Sequence, residues 1–595
     1  MSTRTRRRLV LATAVLALIA PMTAVTPSQA ATTSLSVNLA APRGQATGVG
    51  EGFLYGVNQD GTLPADQYLR PLGITAFRAG GHLNRAWVGD GYTYGSQTKA
   101  DVASVIAQAR RLTQAPYNAQ YQVILSDLYG NDGGQPSNTV YPCASGNCSN
   151  WITFIDSVVG ALQASGLTFA YDIYNEPDIS VFWPNASVNS TQYFQMWDSA
   201  YKELRRVAPN ALIVGPSFAY TPQSRSAQWQ TWLSHVKAAA TVPDWITNHD
   251  EGDVDDPVTV SQSLNNALNS AGVPLRPLSA NEYQPADRQT AGVTAWYLAR
   301  FAQSGYSNAM RGNWVCCLNP NLTGVLTNSG GSWQANGNWW ALRTYADLTG
   351  TLVSTSGQVG STAISAAEDS TAKRAVAVIG DSNGYSGAAS VTFSGFSSLP
   401  WLAGDGRVNV VVDRIPDQAT LSAPQVVLSQ AMTVANGSIT VPITFQASHD
   451  AFAVYLTPTG GTGTTTTTTG ASTTTTTRTT TTTTSTTTTT TRTTTGGGGT
   501  GCTAVLAPPN TWDGGFVANV TVTANAALTG WRVTLNLPAG VSVANGWNGT
   551  FSGSSGTVQV SNMSYNGGLG AGGSTTFGFQ GTGSPGGITA SCSAV

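Results

Sequence analysis

Charge is scarce in this chain. Asp, Glu, Lys and Arg together make up 10% of its 595 residues, and the formal net charge is −2. A nucleic-acid-binding protein needs a basic footprint, so no nucleic-acid partner is expected. Histidine is scarcer still, with four residues in all, and neither a His-Glu-x-x-His nor a Cys-x-x-Cys pair occurs. That leaves little material for a metal site, and no metal is expected. No Gly-x-Gly-x-x-Gly follows the first candidate strand, which argues against a dinucleotide fold, and no cofactor is expected. After residue 20 no apolar run approaches the ~18 residues of a spanning helix. No membrane partner is expected either.

The N-terminus has the form of a secretory signal. Arg4, Arg6, Arg7 and Arg8 precede the apolar run Leu9 to Ala20, and Ser28-Gln29-Ala30 offers a small-x-small cleavage site. Residues 1–30 are therefore expected to be removed, leaving a secreted, extracellular chain that starts near Ala31. Its 16 Trp and 20 Tyr fill cores in many cases. They also offer flat faces that stack on the C–H faces of sugar rings without needing charge, which suits a neutral carbohydrate ligand. Six cysteines behind a secretion signal suggest disulfides. Of the connectivities open to them, locality favours Cys143 with Cys148, Cys316 with Cys317, and Cys502 with Cys592.

Composition divides the chain. From 459 to 500 it is almost entirely Thr with Gly; such a stretch cannot bury enough apolar surface to fold and reads as a linker. Residues 31–350 alternate short apolar runs with helical patterns, the signature of repeated βα units. Strands are expected at Ile74–Arg78, Gln122–Leu125, Phe169–Tyr174 and Ala211–Val214. Trp151, Ile155, Val158 and Leu162 keep helical spacing, with Gly166 as a stop. Roughly 300 residues of this kind fit one (β/α)8 barrel. Residues 351–458 switch to alternating strands and read as an accessory β-sandwich. The stretch 31–50, which alternates over Ser34 to Leu39, is a candidate extra strand for it. Residues 501–595 read as a separate all-β module.

Two candidate carboxyls stand at strand ends. Tyr174-Asn175-Glu176-Pro177-Asp178 closes a strong strand, and Pro177 stops further pairing. Pro277 to Tyr283 is a short strand ending in Glu282. A retaining glycosidase needs two carboxyls about 5 to 5.5 Å apart, one a proton donor and one a nucleophile, and on a barrel both must sit at C-terminal strand ends. Glu176 fits the acid/base and Glu282 the nucleophile. Asn175 is placed to bind a substrate hydroxyl, and Tyr283 to bond to Glu282 or pack beside it. A lone Asn-Glu-Pro also occurs in surface turns; the second strand-end Glu favours chemistry. Trp314, beside an eighth strand expected at Met310–Val315, is the candidate ring platform under the sugar, with barrel packing as the alternative. The acidic run Asp250, Glu251, Asp253, Asp255 and Asp256 reads as a solvated loop that could hold a rival carboxylate.

These motifs resemble clan A of the retaining glycoside hydrolases over most of residues 50–350. That clan places the acid/base Glu of an Asn-Glu-Pro motif on the fourth barrel strand and the nucleophile on the seventh. With Phe77-Arg78-Ala79-Gly80-Gly81 and the accessory sandwich, the chain looks like glycoside hydrolase family 39. The resemblance implies that Arg78 keeps the nucleophile ionised and that His249 lies beside it. Without it, Arg78 reads as a structural ion pair and His249 as a loop residue. In family 39 the nucleophile usually follows Thr and precedes Trp or Phe, whereas Asn281 and Tyr283 flank Glu282 here.

Residues 501–595 resemble carbohydrate-binding module family 2 along their whole length. The matching motifs are Asn510 to Phe516, Thr529-Gly530-Trp531, Gly546-Trp547-Asn548, Asn562 to Gly567 and Phe577 to Gly581. The resemblance implies a cellulose-stacking strip of Trp512, Trp547 and Tyr565, the last commonly Trp, and a buried Trp531. The expected function is a retaining glycoside hydrolase on plant cell-wall polysaccharide, held on a cellulose surface. A β-xylosidase-like action on xylan-derived substrate is favoured by the family resemblance. The alternatives are an endo-acting glycanase on mannan, galactan or glucan, and a non-catalytic wall-binding protein.

Overall fold

The computed structural model describes residues 34–80, 94–126, 140–251, 255–312, 319–357, 359–459, 501–506, 510–512, 515–547, 549–563 and 566–595. The expected signal, the Thr-rich segment, Trp314, Cys316, Cys317 and Tyr565 lie outside these residues. The chain forms two compact units, Met1–Thr474 and Thr475–Val595.

The first unit contains a closed parallel barrel preceded by strand β1 (Ser34–Gln45). The barrel strands are β2 (Gly52–Leu54), β3 (Ala76–Gly80), β4 (Gln120–Ile124), β5 (Ala170–Asp172), β6 (Leu212–Phe218), β7 (Trp245–Asp250), β8 (Leu278–Tyr283) and β9 (Tyr306–Arg311). Each is paired in parallel with its neighbours, and β2 closes on β9. The helix Ser149–Gln163 shows why the alternation folds this way. Its Trp151, Ile155, Val158 and Leu162 all lie in the core on one face, and Gly166 follows at φ 73°, a conformation that glycine adopts without a Cβ clash. Cys143 and Cys148 are disulfide-bonded just ahead of this helix.

The sandwich is one nine-stranded open sheet with a core of its own. From one edge its order is Gln425–Thr433, Arg407–Ile415, Ala451–Pro458, Arg374–Asp381, Thr362–Asp369, Thr351–Ser356, β1, Gly387–Ser394 and Ser438–Phe445. β1 runs antiparallel to Thr351–Ser356 and parallel to Gly387–Ser394. Strand Arg374–Asp381 is buried on both faces. Ala375, Ala377 and Ile379 join the sandwich core, while Val376 and Val378 join the barrel core. That is why it reads as a continuous apolar run rather than an alternating one. Against it lies helix Ala291–Phe301, buried along nearly its whole length. A Cβ on Gly380 would lie 2.0 Å from the Trp296 nitrogen, so only glycine permits this approach. The helix directly follows β8, and the sandwich thus backs the strand that carries Glu282.

The second unit packs two antiparallel sheets. One contains Cys502–Leu506, Gly515–Ala524, Ser574–Thr582 and Ser542–Trp547, with Asn510–Trp512 paired to Gly515–Ala524. The other contains Thr550–Phe551, Thr557–Ser561, Trp531–Asn536 and Thr589–Ala594. The Cys502–Cys592 disulfide joins the two sheets. Trp531 is fully buried, stacked on Phe577 at 5.5 Å, with its indole N–H donating to the Asn566 carbonyl.

Candidate active site

Five of the residues singled out in the sequence converge at the C-terminal end of the barrel. β5 is shorter than the expected Phe169–Tyr174, because after Asp172 the chain leaves the regular ladder. It then keeps single bonds to each neighbour: Asn175 N–H to the Ser126 carbonyl at 3.1 Å, and Glu176 N–H to the Ser217 carbonyl at 3.0 Å. Glu176 adopts φ 41°, an uncommon conformation for a non-glycine residue and one that clusters at functional sites. Pro177 follows, and the Asp178 carboxylate then accepts from Ala219 N, Tyr220 N and Gln228 Nε2. The turn bearing Glu176 is thereby tied to the loop after β6. Burial pushes the Asp178 carboxyl up to about 6, against the pull of those bonds.

Arg78, on the second barrel strand, organises the floor. It is wholly buried. Its Nε and Nη2 donate to Asp172 Oδ2 at 2.9 and 2.7 Å, Nη2 also reaches Asn175 Oδ1 at 2.9 Å, and Nη1 donates to Glu282 Oε1. Burial opposes its charge, but Asp172 and then Glu282 outweigh that, holding the guanidinium more firmly protonated than usual. Asp172 also accepts from Asn281 Nδ2 at 3.0 Å and Ser217 Oγ at 2.8 Å, and Ser217 contacts Thr247 Oγ1. A buried carboxylate is tolerable only when it is paired and hydrogen-bonded in this way.

His249, on the sixth barrel strand, stands between the two carboxyls. Its Nδ1 is 2.8 Å from Glu176 Oε1 and 3.5 Å from Glu282 Oε2. Burial lowers its pKa to about 4, so it is neutral near pH 7 and can serve as donor or acceptor to Glu176 without adding charge. Glu282 is almost fully buried; burial pushes its carboxyl up to about 7, against the pull of His249 and Arg78. One ligand-type atom each from Glu176, His249 and Glu282 lies within 4.8 Å of the others. Such spacing could also hold a cation, but the Arg78 guanidinium already on Glu282 puts fixed positive charge against that position.

Tyr283 is not brought to this cleft. Its hydroxyl donates to the Gly50 carbonyl at 2.9 Å, and its ring packs on Phe301 and Tyr297. Consecutive strand residues point to opposite faces; with Glu282 inward, Tyr283 must face the helix layer. Sequence reasoning left Asp172 and Asn281 without roles. Asp172 lies four residues before Glu176 in an otherwise apolar strand, and a carboxylate there requires a partner. Trp512 and Trp547 end strands of the second unit.

Comparison with known proteins bears on the two units separately. Residues 502–595 match the family described as cellulose binding domain. The C-terminal unit is a cellulose binding domain. Endoglucanase A of Thermobispora bispora is 49% identical over 84 residues, which cover 14% of this chain and 18% of that one. A cellulose/chitin binding protein of Mycobacterium tuberculosis is 39% identical over 80 residues, covering 13% and 56%. The chain thus spans well under two thirds of the length of these curated relatives, and the likeness speaks for the binding domain alone. Around the barrel, the structure of N2152 from Neocallimastix frontalis aligns with a TM-score of 0.60 and 24% identity, over 72% of this chain and 100% of that one. The GH39 enzyme from Xanthomonas axonopodis pv. citri aligns at 0.49 and 15%, over 73% and 99%. At 24% identity the likeness to N2152 is one of fold alone. No helix among the described residues is long and apolar enough to cross a membrane.

Proposed function

We propose that the chain is a retaining glycoside hydrolase acting on plant cell-wall polysaccharide, and that its cellulose binding domain holds it on the wall. The observation that carries this reading is the approach of Glu176 and Glu282 to within 4.8 Å. Retention needs carboxyls about 5 to 5.5 Å apart, whereas inversion needs roughly 6.5 to 9.5 Å to admit a water. In this mechanism Glu282 Oε2, the oxygen that Arg78 leaves open, attacks the anomeric carbon as the glycosidic C–O bond breaks. Glu176 passes its proton to the leaving oxygen. Water then attacks the glycosyl ester, Glu176 takes up the water's proton, and Glu282 leaves as a carboxylate. Arg78 offsets the negative charge of Glu282 before and after the ester. Asn175, its carbonyl held by Arg78, turns its amide N–H2 group toward a hydroxyl of the bound sugar. Neutral His249 keeps the proton of Glu176 within reach. A β-linked, xylan-derived substrate is our preferred assignment, with the protein secreted by its N-terminal signal.

Proton NMR of the first product released from xylan-derived oligosaccharides should show the anomeric configuration retained; inversion would remove the assignment. Glu176→Ala should slow cleavage of unactivated glycosides by about 10²- to 10⁴-fold, the usual contribution of a general acid. It should spare aryl glycosides with good leaving groups, which need no proton. Equal losses on both substrates would place the acid elsewhere.

For the binding domain, we propose that Trp512, Trp547 and Tyr565 form the cellulose-stacking strip. By analogy with other aromatic contacts, each ring would supply on the order of 1 kcal/mol. Trp547→Ala in the full chain should release most of the protein from insoluble cellulose in a pull-down, and leave hydrolysis of small soluble substrates unchanged. Binding at the parent level would show that Trp547 is not part of the strip.

A further inference from the structure

The chain has six glutamates, and three of them, Glu176, Glu251 and Glu282, meet at one site. Glu251 follows the end of β7. Both of its carboxyl oxygens are buried, and neither has a geometric hydrogen-bond partner; Glu282 Oε2 and His249 Nε2 are in the same position. The space it occupies exists because residue 312 is glycine: a Cβ there would stand 1.6 Å from Glu251 Oε1. Among charged groups Glu282 on β8 acts on it most strongly, followed by Glu176, with Arg78 the opposing charge. The Tyr297 hydroxyl, on the helix after β8, also feels it.

Two carboxylates cannot face each other in a buried pocket with both ionised. Ionised carboxylates only accept hydrogen bonds, so an ionised Glu251 would leave two buried oxygens unsatisfied beside the unsatisfied Oε2 of Glu282. A proton on Glu251 changes one of its oxygens into a donor, and Glu282 Oε2 is the acceptor at hand. We propose that Glu251 is a positioning residue that carries a proton and donates an O–H···O hydrogen bond to Glu282 Oε2, keeping the nucleophile ionised and aimed. The proposal rests on the reading of Glu282 as nucleophile. Burial, then Glu282 and Glu176, push the Glu251 carboxyl well above the ordinary range, so it keeps its proton while Glu282 ionises near pH 7. The bond is spent when Glu282 forms the ester and restored when it leaves. Glu251 is thus neither the acid nor the nucleophile but holds the proton that lets the nucleophile keep its charge.

With six glutamates, full-length protein labelled with [δ-¹³C]glutamate gives six carboxyl resonances, assignable by single substitutions. In the wild type the Glu251 resonance should stay at the protonated position throughout the range in which Glu282 titrates, near 7. Glu251→Leu, which removes the donor, should raise the Glu282 midpoint by about one pH unit or more and move the acid limb of kcat/KM with it. Glu251→Gln, whose amide N–H can donate to Oε2, should keep the midpoint within roughly half a unit of wild type. Gly312→Ala, which crowds the Glu251 carboxyl out of its place, should act like Glu251→Leu and serves if the leucine variant does not fold. A Glu251 resonance titrating in the ordinary carboxyl range overturns the proposal, as does a Glu282 midpoint unmoved in both Glu251→Leu and Gly312→Ala. Full activity in Glu282→Gln would instead overturn the nucleophile reading and leave the titration result standing.

Discussion

Glu282→Gln should leave a folded protein whose turnover is lower by roughly 10⁴- to 10⁶-fold, the range seen when a covalent nucleophile is removed. The amide has the shape of the carboxyl and can still meet Arg78 through its oxygen, so the fold should hold, but it cannot form the glycosyl ester. Azide is small enough to enter beside the bound sugar, and should restore part of the rate by attacking the anomeric face that Glu282 has vacated. The product should then be a glycosyl azide of inverted configuration, identifiable by mass and NMR. A variant that turns over near the wild-type rate would move the nucleophile to another carboxyl, and Glu251 is the one within reach.

Arg78→Met should lower the free energy of unfolding by about 3 to 5 kcal/mol, as expected when one partner of a buried ion pair is removed. The side chains of Arg78 and Asp172 are fully buried and that of Glu282 is 4% exposed, so the carboxylates left behind cannot recruit bulk water. Glu282 would be driven further toward protonation, and a protonated Glu282 is no nucleophile. Activity near pH 7 should therefore fall with stability, and raising the pH should recover part of the activity but none of the stability. Urea unfolding monitored by Trp fluorescence measures the first effect. A loss under about 1 kcal/mol, the value of an exposed pair, would show that Arg78 does not hold the floor together.

Much of the architecture could be read from the chain because each layer carries its own period. The barrel, the sandwich and the all-β module showed themselves as βα alternation, strand alternation and a Gly-rich β pattern separated by a Thr tract. Asn175, Glu176 and Glu282 are legible as polar residues at strand ends, whereas Arg78 and His249 take their roles only from the resemblance to clan A. What the run of letters hid is what depends on partners from distant strands. Asp172 gains meaning only from Arg78, 94 positions before it, and Asn281 only from Asp172, 109 positions before it. Tyr283 was misplaced by treating adjacency in sequence as adjacency in space, although the pleat turns neighbours to opposite faces. Glu251 looked like one acid in a solvated loop; the gap that admits it is made by Gly312, a residue with no side chain to announce it.

The strand Arg374–Asp381 has one consequence for how the first unit of this protein can be altered. Its valines belong to one core and its alanines and Ile379 to another, so no surface separates barrel from sandwich along which the chain could be divided. Shortening the protein to its barrel would lay bare the back of helix Ala291–Phe301, and with it the support of β8. Domain exchange can act between the two compact units, where the cellulose binding domain can be swapped as a cassette, whereas barrel and sandwich must be inherited, and must unfold, together.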